Sequence, residues 1–131
     1  MSKKISDKKN ILVVEDELPL QEAIRLKLTS SGFEVVTARS VEQAMNYLQD
    51  NVDISVIWLD HYLIGQETGL DFVAKVKNSE KWKKIPLFLV SNTASADKIK
   101  TYLSLGINKY YTKSNHRLDD IIVDIKAALA E

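Results

Sequence analysis

Five side chains in this sequence have the types and positions to handle a phosphoryl group together. Asp60 ends an apolar run, Ile54-Ser55-Val56-Ile57-Trp58-Leu59, and an earlier run, Ile11-Leu12-Val13-Val14, ends in Glu15-Asp16-Glu17. A carboxylate at the end of a buried strand is costly unless something compensates it. If the two runs lie side by side as parallel strands, at least three carboxyl groups converge at one sheet edge, and their repulsion calls for a cation. An oxygen-rich site with two or three carboxylates and room for water suits Mg²⁺. Ser91 follows a further apolar run and Lys113 follows a short one. An ionised Asp60 can attack phosphorus while the metal and Lys113 neutralise the phosphoryl oxygens and Ser91 donates a hydrogen bond. The constellation is that of an aspartyl-phosphate site.

For these residues to meet, the runs that carry them must form a parallel sheet with their carboxyl ends aligned, since ligands bind outside those ends in open α/β sheets. Apolar runs alternate with amphipathic segments along the whole chain, which predicts strands covered by helices on both faces. Five units are expected. Asn10 to Val14 is followed by a helix with Pro19 in its first turn, a stripe of Leu20, Ala23, Ile24 and Leu28, and a stop at Ser31-Gly32. Phe33 to Ala38 predicts the second strand, and Ser40 with Gln43 three residues on predicts an N-cap for a helix facing inward through Val41, Ala44, Met45 and Leu48. The third strand, introduced by Asp53, is apolar on both sides, as a central strand should be. A loop from His61 to Thr68 leads to a helix opened by Gly69, with Leu70, Phe72, Val73 and Val76 inward and Trp82 expected to cap its end. Ile85 to Val90 predicts a strand, Ala94 to Leu105 a weaker helix ended by Gly106, Ile107 to Thr112 a short strand, and Leu118, Ile121, Ile122, Ile125 and Leu129 the face of a last helix.

The 131 residues, 45% of them hydrophobic, suffice for one domain with a single core. Eighteen basic and 18 acidic residues balance, so no global field favours nucleic acid or an anionic membrane. The absence of cysteine removes disulfides, thiolate zinc sites and thiol catalysis together. Lys3, Lys4, Lys8 and Lys9 give residues 1–9 the look of a basic tail, followed by too short an apolar run for a signal-peptide core. No stretch approaches the roughly 20 apolar residues that span a bilayer. The expected location is the cytoplasm.

The sequence resembles the receiver domain of two-component response regulators over nearly its whole length, through Ile11-Leu12-Val13-Val14-Glu15-Asp16-Glu17, Trp58-Leu59-Asp60, Val90-Ser91 and Tyr110-Tyr111-Thr112-Lys113. The resemblance implies a flavodoxin-like, doubly wound α/β fold over residues 10–131, with a five-stranded parallel sheet in the order 2-1-3-4-5 and five helices. It implies Asp60 as phosphoacceptor, and Glu15, Asp16, Asp60 and the backbone carbonyl of Tyr62 as the protein's ligands to Mg²⁺. Lys113 would pair with the phosphoryl group, Ser91 would be the switch hydroxyl, and Tyr110 would be the switch aromatic. The implied partners are a histidine kinase or phosphotransfer protein as donor and a downstream target or effector domain, with the protein a monomer or a phosphorylation-dependent dimer. Such a protein is a signalling phosphoacceptor, not a turnover enzyme, and switches the face made by its fourth helix, fifth strand and last helix.

Several features depart from the family pattern: Ile64 and Ser114 stand where proline is usual, Asn92 follows the switch hydroxyl where a small residue is usual, the segment from Asp60 to Gly69 is one residue longer than usual, and His61 after the acceptor is less typical. They suggest an alternative, a phosphorylation-independent binding module on the same fold. A metal-dependent phosphohydrolase would want a second acid two residues after the nucleophile, where Tyr62 stands. A flavin site would want a phosphate loop after the first strand, where the acids would repel it. His61 and His116 have no partner spacing that implies a metal, and both are expected at the surface.

Overall fold

Five short apolar segments form the strands, and each ends where a polar residue begins the connection to a helix. The computed structural model describes residues 9–50, 53–92, 95–113 and 117–130. Strands β1 (Asn10–Val14), β2 (Glu34–Ala38), β3 (Val56–Leu59), β4 (Leu87–Val90) and β5 (Lys109–Tyr111) alternate with helices α1 (Leu18–Ser30), α2 (Val41–Gln49), α3 (Gly69–Lys77), α4 (Ala96–Leu105) and α5 (Leu118–Leu129). The strands pair in parallel in the order β2-β1-β3-β4-β5. This is the doubly wound, flavodoxin-like sheet expected from the sequence. The basic tail falls, apart from Lys9, outside the described residues, as do Ser114 and His116.

The period-two alternation of the strands divides the core into two layers. Ile11, Val13, Val56, Trp58, Phe88, Val90 and Tyr111 face α1 and α5, where Ile24, Leu28, Ile121, Ile122 and Ile125 meet them. Leu12, Val14, Ile57, Leu59, Leu87 and Leu89 face the opposite layer, with Ala44, Leu48, Phe72, Val73, Val76 and Tyr102 from α2, α3 and α4. Every residue of β3 and β4 is buried. Each large aliphatic side chain so buried is worth about 1.5–3 kcal/mol relative to exposure.

Local chemistry sets the helix ends. Pro19 lies in the first turn of α1, and the helix closes at Ser31 before Gly32 at φ 102°. Ser40 Oγ accepts from the Gln43 amide at 3.2 Å, and Gln43 Oε1 accepts in return from the Arg39 amide at 2.7 Å. Thr68 and Asp71 form a reciprocal capping box at the start of α3. Gly106, at φ 102°, ends α4 in the left-handed conformation that glycine adopts without strain. Trp82 differs from expectation: α3 closes at Asn78, and Trp82 sits in the turns beyond it, packed on the core layer of α2, α3 and α4. Ala23, expected in the α1 stripe, is exposed, because Leu20, Ile24 and Leu28 already fill the side facing the sheet. Among the described residues, no helix is long and apolar enough to cross a membrane.

Candidate functional site

Strand register builds the site. Val14 is paired with Leu59 across β1 and β3, so one further step along both strands sets Glu15 beside Asp60. The Asp60 amide donates to the Val14 carbonyl at 2.9 Å, and the Glu15 amide donates to the Ala38 carbonyl at 2.9 Å, fixing both acids by their backbones. On the other side of β3, Val90 is paired with Tyr111, and the Ser91 amide donates to the Tyr111 carbonyl at 3.0 Å. Lys113, two residues past β5, reaches back over the end of β4 to the acids.

Oxygens of Glu15, Asp16 and Asp60 all lie within 4.8 Å of one another, a separation one metal ion can bridge. Lys113 Nζ lies 3.0 Å from Glu15 Oε1 and 3.3 Å from Asp60 Oδ2. The first contact is an ion pair without hydrogen-bond alignment; the second is a hydrogen bond donated by the lysine. Glu15 and Asp60 are buried, Asp16 is half-buried. Burial and the neighbouring Asp60 charge push the Glu15 carboxyl above its ordinary range, against the pull of Lys113 and of the Glu17 amide. Burial pulls Lys113 down, but the Asp60 and Glu15 carboxylates outweigh it and hold the ammonium above its ordinary value. Two adjacent buried acids served by one lysine form a charge-deficient pocket, and that donor set, all oxygen and compact, fits a hard divalent cation.

The acidic loop after β1 is braced from outside. Glu15 Oε2 accepts from the Glu17 amide at 3.1 Å, Gln21 Nε2 donates to the Glu15 carbonyl at 2.9 Å, and Arg39 donates through Nε and an Nη to the Asp16 carbonyl at 3.2 and 3.0 Å. An acid just before α1 could also cap that helix. Glu17 holds the N-cap position, yet among the described residues its side chain makes no capping bond. The Glu15 carboxylate, reaching forward two residues, takes the Glu17 amide instead.

Tyr110 and Tyr111 point to opposite faces, as alternation requires. Tyr110 packs on the α3 and α4 side and donates to the Ser91 carbonyl at 2.8 Å. Tyr111 packs between the sheet and α5 and donates to Asp124 Oδ2 at 2.5 Å. Tyr62 is exposed; its ring meets His61 edge-on at 4.5 Å and lies 5.7 Å from Lys98 Nζ.

His61 corrects a sequence expectation: it is buried, 1% exposed, not a surface residue. Its Nδ1 shares a 2.5 Å hydrogen bond with the hydroxyl of Tyr102, 41 residues on in α4. Burial first and Lys98 second lower the imidazole below its ordinary pKa, against the opposing pull of Asp60. Burial, with Asp60 and Asp71 nearby, raises the phenol, so both partners are neutral at physiological pH. Sequence reasoning missed this pair, although strand parity held the signal: His61 follows Ile57 and Leu59 onto the face that α3 and α4 cover.

The fold and the acid–lysine arrangement define a class, and comparison with known proteins agrees with it. A family model described as the response regulator receiver domain matches residues 11–126, and the chain belongs to that family of two-component signalling domains. It is 30% identical over 104 residues to the chemotaxis protein CheY1 of Helicobacter pylori, covering 79% of this chain and 83% of that protein. It is 30% identical over 105 residues to the phosphate regulon transcriptional regulatory protein PhoB of Pseudomonas aeruginosa, covering 80% of this chain and 45% of PhoB. Among solved structures, the phosphorylated cyanobacterial phytochrome response regulator RcpA superposes with a TM-score of 0.78 at 29% identity, over 92% of this chain and 91% of that one. A response regulator from Chloroflexus aurantiacus gives a TM-score of 0.85 at 22% identity, over 95% of this chain and 100% of that one, a likeness of fold alone.

Proposed function

We propose that this receiver domain accepts a phosphoryl group on Asp60 from the phosphohistidine of a histidine kinase or phosphotransfer protein, with Mg²⁺ held by Glu15, Asp16, Asp60 and the Tyr62 carbonyl. The observation that carries the reading is Lys113 Nζ within 3.3 Å of both Asp60 and Glu15, beside acid oxygens gathered within 4.8 Å. That constellation also favours a phosphoacceptor over a phosphorylation-independent binding module, which would have no use for it.

In the transfer, a carboxylate oxygen of Asp60 forms a bond to phosphorus as the donor's phosphorus–nitrogen bond breaks and its electron pair leaves on the imidazole. A bound divalent cation would supply charge neutralisation for the phosphoryl oxygens. Lys113 orients Asp60 beforehand through its hydrogen bond and afterwards pairs with the phosphoryl group. Ser91 donates its hydroxyl to another phosphoryl oxygen. The acyl phosphate so formed carries close to two negative charges, enough to draw Ser91 and Lys113 toward it and to loosen the bond from Tyr110 to the Ser91 carbonyl. Movement of Tyr110 would then re-set the face made by α4, β5 and α5, where a downstream target or effector domain binds.

Acetyl phosphate with Mg²⁺ is expected to add one phosphate to the intact protein, read by mass spectrometry, and none to Asp60→Asn. A protein that takes no phosphate from acetyl phosphate or from any phosphohistidine donor would count against the reading.

A further inference from the structure

We propose that Tyr102 is a positioning residue for the phosphoacceptor: its hydroxyl, held by His61 and seated against Gly69, ties the backbone that carries Asp60 directly to α4. The functional consequence rests on Asp60 being the acceptor, but the contact itself does not.

Tyr102 is the one buried residue of α4, so the attachment of that helix to the core centres on its ring. The ring lies edge-on to His61 at 5.5 Å and 84°, with the 2.5 Å hydrogen bond between them. Gly69 shows how closely the phenol approaches the acceptor backbone. A Cβ there would run into the Tyr102 oxygen and would lie 3.1 Å from the Asp60 carbonyl oxygen and 3.2 Å from His61 Cα. The phenol oxygen, the carbonyl of the acceptor and the backbone of its neighbour thus meet in one notch that a side chain at residue 69 would close. The Gly69 amide donates to the His61 carbonyl at 3.1 Å, so the start of α3 is drawn into the same contact.

His61 is covalently next to Asp60, and holding its imidazole restrains the backbone that joins the two residues. A nucleophile must be placed to within a fraction of an ångström of in-line geometry, so a restraint one residue away bears on transfer. The restraint comes from α4, which gives that helix a link to the acceptor separate from the one through Ser91 and Tyr110. Tyr102→Phe keeps the ring and deletes the bond.

Amide hydrogen exchange of the metal-free protein, residue by residue, tests the restraint without any donor. In Tyr102→Phe the amides of Asp60 and Gly69 are expected to exchange on the order of tenfold faster, with Leu12 and Leu89 unchanged. Unchanged exchange at Asp60 and Gly69, or equal acceleration throughout the sheet, would overturn the proposal. At saturating Mg²⁺ and acetyl phosphate, phosphorylation of the variant is expected to slow several-fold, and an unaltered rate would also overturn it. His61→Leu, which removes the other partner, should give the same two changes; normal behaviour of that variant would sink the idea as well. If the parent itself takes no phosphate, the acceptor reading fails, and the exchange data alone decide whether Tyr102 holds the strand end.

Discussion

Lys113 Nζ donates to Asp60 Oδ2 at 3.3 Å, reaching from beyond β5 across the end of β4 to the end of β3. The lysine is shared, because Glu15 Oε1 lies 3.0 Å from the same nitrogen. One ammonium therefore balances two buried carboxylates, with Asp16 adding a third acid at the edge. The arrangement is electrostatically costly for its acids, which are relieved when positive charge is added or one negative charge is removed.

Glu15→Gln should accordingly stabilise the protein while impairing its metal site. Glutamine keeps an oxygen to accept from the Glu17 amide, relieves the repulsion with Asp60 and leaves Lys113 matched one-to-one. The gain expected at neutral pH is about 0.5–2 kcal/mol, the usual range for relieving a strained functional position. Thermal melts give the stability, and a Mg²⁺ titration followed by Trp58 fluorescence should show weakened binding in the same variant.

The pH dependence of that difference has a definite sign. Burial and Asp60 place the folded-state pKa of Glu15 above its ordinary value of 4.5. As pH rises from there through the folded-state value, the unfolded chain has released a proton that the native protein still holds, so stability falls across that window. Metal-free melts should therefore show a decline above pH 4.5 that is shallower in Glu15→Gln. Parallel curves for the two proteins would contradict the assigned cause.

Mg²⁺ should reverse the penalty. A ligand that binds only the native state stabilises by about 2.7 kcal/mol at one hundred times its Kd. The melting temperature is expected to rise with Mg²⁺ concentration in the parent and to respond much less in Asp16→Ala, since Asp16 contributes one of the clustered oxygens. Trp58, fully buried two residues before Asp60, serves as the optical reporter for the same titration.

What the sequence made legible was whatever a single strand end determines. Glu15, Asp16, Asp60 and Lys113 each follow an apolar run, so the parallel sheet brings them together without reference to anything distant, and Ser91 stands at the end of the neighbouring strand β4. Pro19, Ser40 with Gln43, and Gly106 punctuated their helices through local backbone chemistry, and the structure uses all of them. For His61 strand parity gives the face but not what covers it. Its burial depends on Tyr102, whose helix buries no other residue and so shows only a faint apolar stripe. Trp82 departs from expectation for a related reason: an aromatic among Lys81, Lys83 and Lys84 reads as a helix end, whereas the chain folds it back onto a core built by residues far away in sequence.

Tyr111 and Asp124 tie β5 to α5 on the face opposite Tyr110. The phenol donates to Asp124 Oδ2 at 2.5 Å, and Lys109, 3.2 Å from the same oxygen, lies 5.0 Å from the centre of the Tyr111 ring. Hydrogen bonds to charged groups are worth about 1.5–3 kcal/mol, so Tyr111→Phe should lower stability within that range. The loss should be insensitive to Mg²⁺, because the contact lies away from the acids. A Mg²⁺-dependent loss, measured by melts with and without the ion, would show that this pair communicates with the acceptor.

Gly69 offers a test of packing around the acceptor that needs no metal at all. Gly69→Ala directs a methyl at the Tyr102 oxygen while crowding the Asp60 carbonyl at 3.1 Å and His61 Cα at 3.2 Å. Overpacking of this kind costs about 1–3 kcal/mol, and backbone on two sides leaves little room to relax. Tyr102→Phe removes the nearest of the three atoms but also removes the bond to His61, so that variant alone should be modestly destabilised. Combined, the two substitutions should cost less than the sum of the separate losses, because the methyl then enters space that the hydroxyl has vacated. The expected coupling is about 0.5–3 kcal/mol, measured by denaturant unfolding of the four proteins in the cycle. Strict additivity would mean that the alanine methyl is resisted by the Asp60 and His61 backbone alone, and that the hydroxyl of Tyr102 does not occupy the notch beside the acceptor.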